Sequence, residues 1–480
     1  MPPPEPIPPV DPITPVDKLA AKPSLFRLLR ESLDGHERDY TKLPVGRGLL
    51  LLSVPMVIEM IMEGVFEIAD MLFVARLGVE AVVSAGLTGN LLVLVFTVAM
   101  GLSMAATAVV ARRIGEKDED GAARAAVQAI GLGVVVAVPF AVAGYVYAAD
   151  LLRIMGGTPE VVAVGTTYCA WIFASTPIIV LLFLINAIFR GAGDASRAMY
   201  ALGLANALNI VLDPLLIFGI GPFPELGLEG AAIATIIGRG TGVLFQIGLL
   251  IRGVGRLKIR RHHLQVELPV LKTLGRISGP GIVQFFVGSA SWIILMAMIT
   301  RIDVVAAAGY IIAIRVIVFA LLPSWGMGNA AATLVGQNLG AGEPDRAERS
   351  AWLAGRVNMV VLVLFGIASW LGADVILRAF TDDPGAIRFG RLCLQIVTLS
   401  YPAFAYGMIV QQAFNGAGDT RTPTAINLIS YWLLQLPLAY LLAQWYGAVG
   451  VFVAITIAQL VLAVLGITWF RQGKWKRVQV

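Results

Sequence analysis

Four carboxylates interrupt one of the most apolar stretches of the chain, in "EMIMEGVFEIAD", Glu59 to Asp70. Successive helical residues turn by about 100°, so with Glu59 at zero Glu63 falls near ~40°, Asp70 near ~20° and Glu67 near ~80°. All four share one arc. A carboxylate at mid-membrane costs about 2.5–3.5 kcal/mol, and four turned towards lipid would cost on the order of 10 kcal/mol. Gathered on one face they can line a wet cavity. The bland alternative is ion pairing with Arg239 or Arg315, the two basic residues expected inside helices. A second group lies in "NIVLDP", where Asn209 and Asp213 are one turn apart. Pro214 has no N–H, so the carbonyl of Ile210 loses its helical partner. A carboxylate, an amide oxygen and a free carbonyl converge there. Such hard donors suit a small cation such as Na⁺, and the same carboxylate can instead carry a proton. Asp70, Asn209, Asp213 and Thr235 are expected at one depth.

The elements that position these residues must be membrane helices. The 480 residues are 58% hydrophobic, with a mean hydropathy of +0.80, whereas a soluble domain is nearer roughly 45–50% apolar. Apolar runs of about 20 residues, each able to span a bilayer, recur along the chain. Twelve are expected: 49–74, 81–110, 126–148, 161–189, 198–219, 229–251, 277–300, 305–334, 351–373, 390–414, 423–444 and 447–470. The alternating segments of a membrane β-barrel are absent. The fold class is an all-α integral membrane protein with twelve transmembrane helices.

The start, "MPPPEPIPPVDPITPVD", reads as a disordered tail rather than a signal peptide. Residues 24–33, "SLFRLLRESL", suit a short amphipathic helix on the membrane surface or an ordinary solvated leader. With a cytoplasmic N-terminus, 28 of the 36 Lys and Arg fall on the cytoplasmic side. The positive-inside rule then places both termini in the cytoplasm. It also accounts for the basic central loop without a nucleic-acid partner. Cys169 and Cys393 imply neither a disulfide framework nor a metal site. His36, His262 and His263 lie in tails or loops, and no HExxH or cofactor fingerprint occurs, which argues against an enzyme and against a cofactor.

The chain repeats at an offset of 225: Pro55 with Pro280, Arg76 with Arg301, Gly115 with Gly340, and Gly191 of "FRGAGDAS" with Gly416 of "FNGAGDTR". Six helices per half make the repeats parallel, around a central cavity, as in transporters that work by alternating access. The organisation expected is a tail, 1–47; an N-terminal six-helix bundle, 48–252; a basic linker, 253–275; a C-terminal six-helix bundle, 276–471; and a tail, 472–480. The paired GAGD segments read as turns, with Asp194 and Asp419 placed to cap the next helices.

With "RGAGD" and "NGAGDTRTP" closing the fourth and tenth helices and "ADMLFVARLG" ending the first, the sequence resembles the MATE (multidrug and toxic compound extrusion) transporters. The resemblance implies export of organic, often cationic compounds against inward H⁺ or Na⁺, by a monomer in the inner (plasma) membrane. It also implies a coupling site at Asp70, Asn209, Asp213 and Thr235, as in the DinF-like and archaeal branch. The acids of the NorM-like branch are replaced here by Gly288 and Phe404. Glu59, Glu63 and Glu67 are extra to the common pattern and are expected, with Gln284, Arg315 and Gln411, to line the substrate cavity. The alternative within the superfamily is a lipid-linked oligosaccharide flippase, whose anionic cargo favours a basic cavity. A cysteine placed at residue 262 is expected to label only from the cytoplasmic side; labelling from outside intact cells would reverse the assigned orientation.

Overall fold

The computed structural model describes residues 25–35, 38–253 and 255–480. The Pro-rich start and His36 lie outside them. Among the described residues there is no strand. Ten helices are long and apolar enough to cross a membrane: Val45–Leu77, Val79–Gly115, Glu119–Val146, Ala195–Ile217, Leu228–Arg252, Leu268–Ile302, Val304–Gly340, Pro344–Leu371, Arg421–Tyr446 and Ala448–Arg471. Two further spans are broken. Pro159–Ala174 and Thr176–Ala192 meet at 44° as the fourth span, and Pro384–Thr398 and Tyr401–Gly416 meet at 62° as the tenth.

The twelve spans occupy the expected runs but extend past them, because charged residues carry the helices on beyond the hydrocarbon. The second span ends with Arg112 and Arg113 in its last turn. The third starts with Glu119 and Asp120, and Asp118 accepts a hydrogen bond from the Gly121 amide as its cap. Both charge placements suit the helix dipole. The fourth and tenth spans depart from the unbroken helices expected. Pro177 and Pro402, 225 apart, lack the N–H an unbroken helix needs. The hydroxyls of Ser175 and Ser400, also 225 apart, each donate to the carbonyl three residues back, at 2.7 Å. The break is a duplicated feature. The eleventh span contains a π-helical stretch, Leu428–Gln435.

The halves meet mainly at the end of the bundle that carries the described terminal segments. There the second and eighth spans cross with backbone on backbone. A Cβ on Gly115 would lie 2.1 Å from the Gln337 carbonyl oxygen, and one on Gly340 would lie 2.1 Å from that of Arg112. Residues 112 and 337 are again 225 apart, so the crossing obeys the duplication. Thr333 Oγ1 donates to the Arg190 carbonyl at 3.1 Å and Gln337 Nε2 to the Gly191 carbonyl at 3.0 Å. Arg112 reaches over to the carbonyls of Ala417, 3.4 Å, and Val478, 2.9 Å. Residues 38–44 close the same face: Lys117 pairs with Asp39 at 2.9 Å, and Arg346 donates to the carbonyls of Tyr40 and Leu43.

The GAGD turns put Gly193 at φ +89° and Gly418 at φ +85°, the left-handed region glycine occupies without penalty. The two following aspartates diverge. Asp419 accepts from the Thr422 amide at 3.2 Å, as a cap does. Asp194 caps nothing and instead pairs with Arg197 at 2.7 Å, because that guanidinium is the stronger donor within reach. The helix Leu25–Leu33 forms, and it is docked on the protein: Ser196 Oγ donates to the Ser32 carbonyl, and Glu31 pairs with Arg47 at 2.6 Å.

Gly115→Ala forces a Cβ into an immobile carbonyl, so it is expected to destabilise by about 1–3 kcal/mol. Gly131→Ala, where a Cβ meets nothing within 4 Å, gains helix propensity of about 1 kcal/mol. Thermal unfolding of the purified protein should move down for the first and not for the second.

Candidate functional site

The carboxylate stripe divides in two. Glu59, 1% exposed, accepts from Arg190 Nη1 at 2.5 Å and from Asn186 Nδ2 at 3.1 Å. Asn186 Oδ1 in turn accepts from Gln246 Nε2 at 2.5 Å. Glu63 accepts from Arg239 Nη2 at 3.3 Å and from Asn206 Nδ2 at 3.1 Å. The Arg239 guanidinium also lies over the rings of Phe66, 5.4 Å, and Phe183, 5.8 Å. Two of the four stripe acids are therefore tied to fixed cations from the fourth and sixth spans. Glu59 does not line an open cavity, because burial at this depth leaves room only for its partners. Arg315 is not among those partners: it is exposed on the eighth span and pairs with no carboxylate among the described residues. Arg190 reads in the sequence as a charge at the basic face beside a turn. It is 7% exposed and points back into the bundle. The signal available for it was Asn186, four residues earlier on the same face of an otherwise apolar helix.

The other carboxylates have no such partner. Glu67 is exposed and Asp70 half-buried, and neither hydrogen-bonds or ion-pairs with a described residue. Asp213 on the fifth span is 0% exposed, and neither carboxylate oxygen accepts a hydrogen bond from a described residue. Asn209, 1% exposed, donates from Nδ2 to Thr235 Oγ1 at 3.2 Å, which leaves its Oδ1 as a further unpartnered acceptor. Asp70 and Asp213 lie within electrostatic reach of each other, and Tyr168, which the sequence reading did not single out, lies within reach of both. Close packing makes this possible. A Cβ on Gly238 would meet the Ala205 carbonyl at 2.7 Å, and one on Gly230 the Leu216 carbonyl at 2.5 Å. Small residues let the fifth and sixth spans approach until Asn209 and Thr235 touch.

In the C-terminal half no carboxylate takes the equivalent places. Gln284 Nε2 donates to Gln411 Oε1 at 3.4 Å, so the seventh and tenth spans bring these two residues together. Ser291 donates to Gln435 Oε1 at 2.8 Å and Trp432 Nε1 to the Val287 carbonyl at 3.0 Å, both across to the π-helical stretch. Outside the membrane core, Asp120, His262 and His263 cluster closely enough to suggest a metal site. His263 Nδ1, however, accepts from the Arg260 amide at 3.0 Å. A metal-bound imidazole uses that second nitrogen as a donor. Nε2 therefore carries the proton and donates to Asp120 at 2.7 Å, which docks the linker on the third span.

A family model described as MatE matches residues 55–215 and 280–441. The chain belongs to the MatE family. The two matched segments of the MatE model begin at Pro55 and Pro280, in the register of the duplication. Among similar proteins, the probable multidrug resistance protein YoeA of Bacillus subtilis (strain 168) is 26% identical over 450 residues, 92% of this chain and 96% of its own length. A protein named FAD transporter from Shewanella oneidensis (strain MR-1) is 27% identical over 421 residues, 88% of this chain and 93% of its own. A solved outward-facing conformation of a multidrug resistance MATE family transporter superposes with a TM-score of 0.84 at 25% identity, covering 90% of this chain and 96% of that one. This MatE chain is a multi-pass membrane transporter and not an enzyme.

Breaking one side of the Glu59–Arg190 pair strands a buried charge. Arg190→Gln alone is expected to destabilise the protein by about 3–5 kcal/mol, and Glu59→Gln with Arg190→Gln by much less. The check is thermal unfolding of the three proteins. An Arg190→Gln protein as stable as the parent would show that the pair is not needed.

Proposed function

We propose that the protein is a secondary antiporter that exports organic compounds in exchange for inward H⁺ or Na⁺, bound at Asp70, Asn209, Asp213 and Thr235. One observation carries the reading. Five carboxylates, Glu59, Glu63, Glu67, Asp70 and Asp213, share the N-terminal bundle with two paired arginines. The three without a partner include Asp213, which is wholly buried. An ionised carboxylate in that position is too costly to stand alone. A proton or a small cation on it removes the cost, and an ion that comes and goes changes which packing of the helices is favoured. Drug and ion then influence each other's binding reciprocally.

Glu67, exposed on the same helix face, is the acid free to meet the cationic part of a cargo, while Gln284 and Gln411 supply neutral polar contacts. The surplus of acids gives an anionic lipid-linked cargo nothing to recognise. Both termini lie in the cytoplasm of a plasma-membrane protein, following the Lys and Arg distribution. The contacts between the halves then seal the cytoplasmic side, and the state described is outward-facing. Alternating access requires the crossing of the second and eighth spans to open.

Asp70→Asn and Asp213→Asn are each expected to abolish efflux driven by an imposed Na⁺ or pH gradient in liposomes, with insertion and folding retained. Asn209→Ala is expected to lower it less, since it removes one neutral ligand. Normal pumping by both aspartate variants, with a normal ion dependence, would sink the assignment.

A further inference from the structure

A groove of about 410 Å³ lies between the ninth, tenth and twelfth spans, lined by Glu348, Trp352, Arg356, Tyr406, Ile467 and Arg471. Every lining residue belongs to the C-terminal half, so the groove lies apart from the ion site and from the contact between the halves. It opens at the end of the bundle that carries the described terminal segments: Arg471 is the last residue of its span, and Glu348 lies in the first turns of the ninth. Arg356 lies about 12 Å deeper than Glu348, two helical turns on. That places an exposed guanidinium within the apolar run of the ninth span.

Neither arginine is satisfied by the protein. Arg356 makes no hydrogen bond or ion pair with a described residue. Arg471 lies over the Trp352 ring at 5.7 Å and meets no carboxylate. The one acid in the groove is already engaged: Glu348 pairs with Lys476 at 2.7 Å and accepts from Trp352 Nε1 at 3.1 Å. The aromatic pair is fixed in place. Tyr406 lies against Gly355, where a Cβ would come within 2.6 Å of its ring, and Trp352 packs on Phe470 at 5.4 Å. Two uncompensated cations with a Trp and a Tyr, at the polar edge of a bilayer, form the pattern that holds a lipid headgroup. The other half lacks it. Counting back 225, Trp352, Arg356 and Tyr406 correspond to Val127, Gly131 and Leu181. The twelfth span runs at an offset of 220, set by Gly227 and Gly447, which share φ +57° before their helices. Arg471 then corresponds to Ile251. The charges are an addition to one copy of a shared scaffold rather than a requirement of it.

We propose that this groove binds the headgroup of an anionic phospholipid, with its phosphate held between Arg356 and Arg471 and its glycerol end against Trp352 and Tyr406. Guanidinium forks match phosphate oxygens in pairs, and a bound phosphate relieves the exposed charge of Arg356 at its depth.

The test is native mass spectrometry of the purified full-length protein with phosphatidylglycerol or phosphatidylcholine added in turn. The parent is expected to retain phosphatidylglycerol preferentially. Each arginine should contribute about fivefold, so Arg356→Gln with Arg471→Gln lowers the apparent affinity roughly 25-fold. Both side chains are exposed and unpaired, so the double variant should keep its melting temperature. Arg261→Gln with Lys272→Gln removes the same charge elsewhere and should leave the preference intact. Equal binding of the two lipids by the parent, or equal loss in the control variant, would overturn the proposal. So would displacement of phosphatidylglycerol by inorganic phosphate alone, which would make the ligand a free anion.

Discussion

A carboxylate that cannot reach water has to find a positive charge, and in the N-terminal bundle there are more such carboxylates than arginines to answer them. Arg190 answers Glu59 and Arg239 answers Glu63. Those pairs tie the first span to the fourth and sixth. With two acids fixed, the geometry of the remainder follows: the first span is held so that Asp70 faces the fifth span at the level of Asp213 and Asn209. The bundle is thus completed by something it does not permanently own. The same pairs explain why four acids on one helix need not all do the same work.

The duplication separates scaffold from chemistry. What repeats is backbone architecture: the glycines of the crossing, the broken fourth and tenth spans with their Ser and Pro, and the left-handed glycines of the GAGD turns. What does not repeat is charge. The positions that carry Glu59, Glu63 and Glu67 in the first span carry Gln284, Gly288 and Trp292 in the seventh. The aspartate that caps in one turn is turned to an arginine in the other. Close backbone contact tolerates little variation, since an added methyl group has nowhere to go. A polar side chain facing a cavity can be exchanged without moving a helix.

This division also decides what could be read from the sequence. Apolar runs and the 225-residue register were legible because both follow from composition and spacing, and they placed all twelve spans. The ends were less legible, since helices persist past the hydrocarbon wherever charges suit their termini, as at Arg112 and Glu119. The break at Pro177 and Pro402 was written in the sequence, at matched positions, but a run of apolar residues around each masks it. Asn209, Asp213 and Thr235 were found because a proline and two polar residues stand out within one turn. Arg190 was not, because a basic residue next to a glycine turn looks the same whether it faces water or folds back. Arg315 was the natural guess for a partner within a helix. Only the rotation of the eighth span, which sequence periodicity does not fix relative to its neighbours, turns it away.

The crossing at Gly115 and Gly340 has a mechanical meaning. The second and eighth spans are each a single helix of 37 residues, so each is a rod about 55 Å long. Both are pinned near one tip. A rod held in this way multiplies small rotations: about 10° at the pin carries the far tip through roughly 9 Å. A displacement of a few tenths of an ångström where two carbonyls meet two glycines is thereby converted into an opening the size of a small molecule at the opposite end. The narrowest contact in the molecule sets the leverage of the widest.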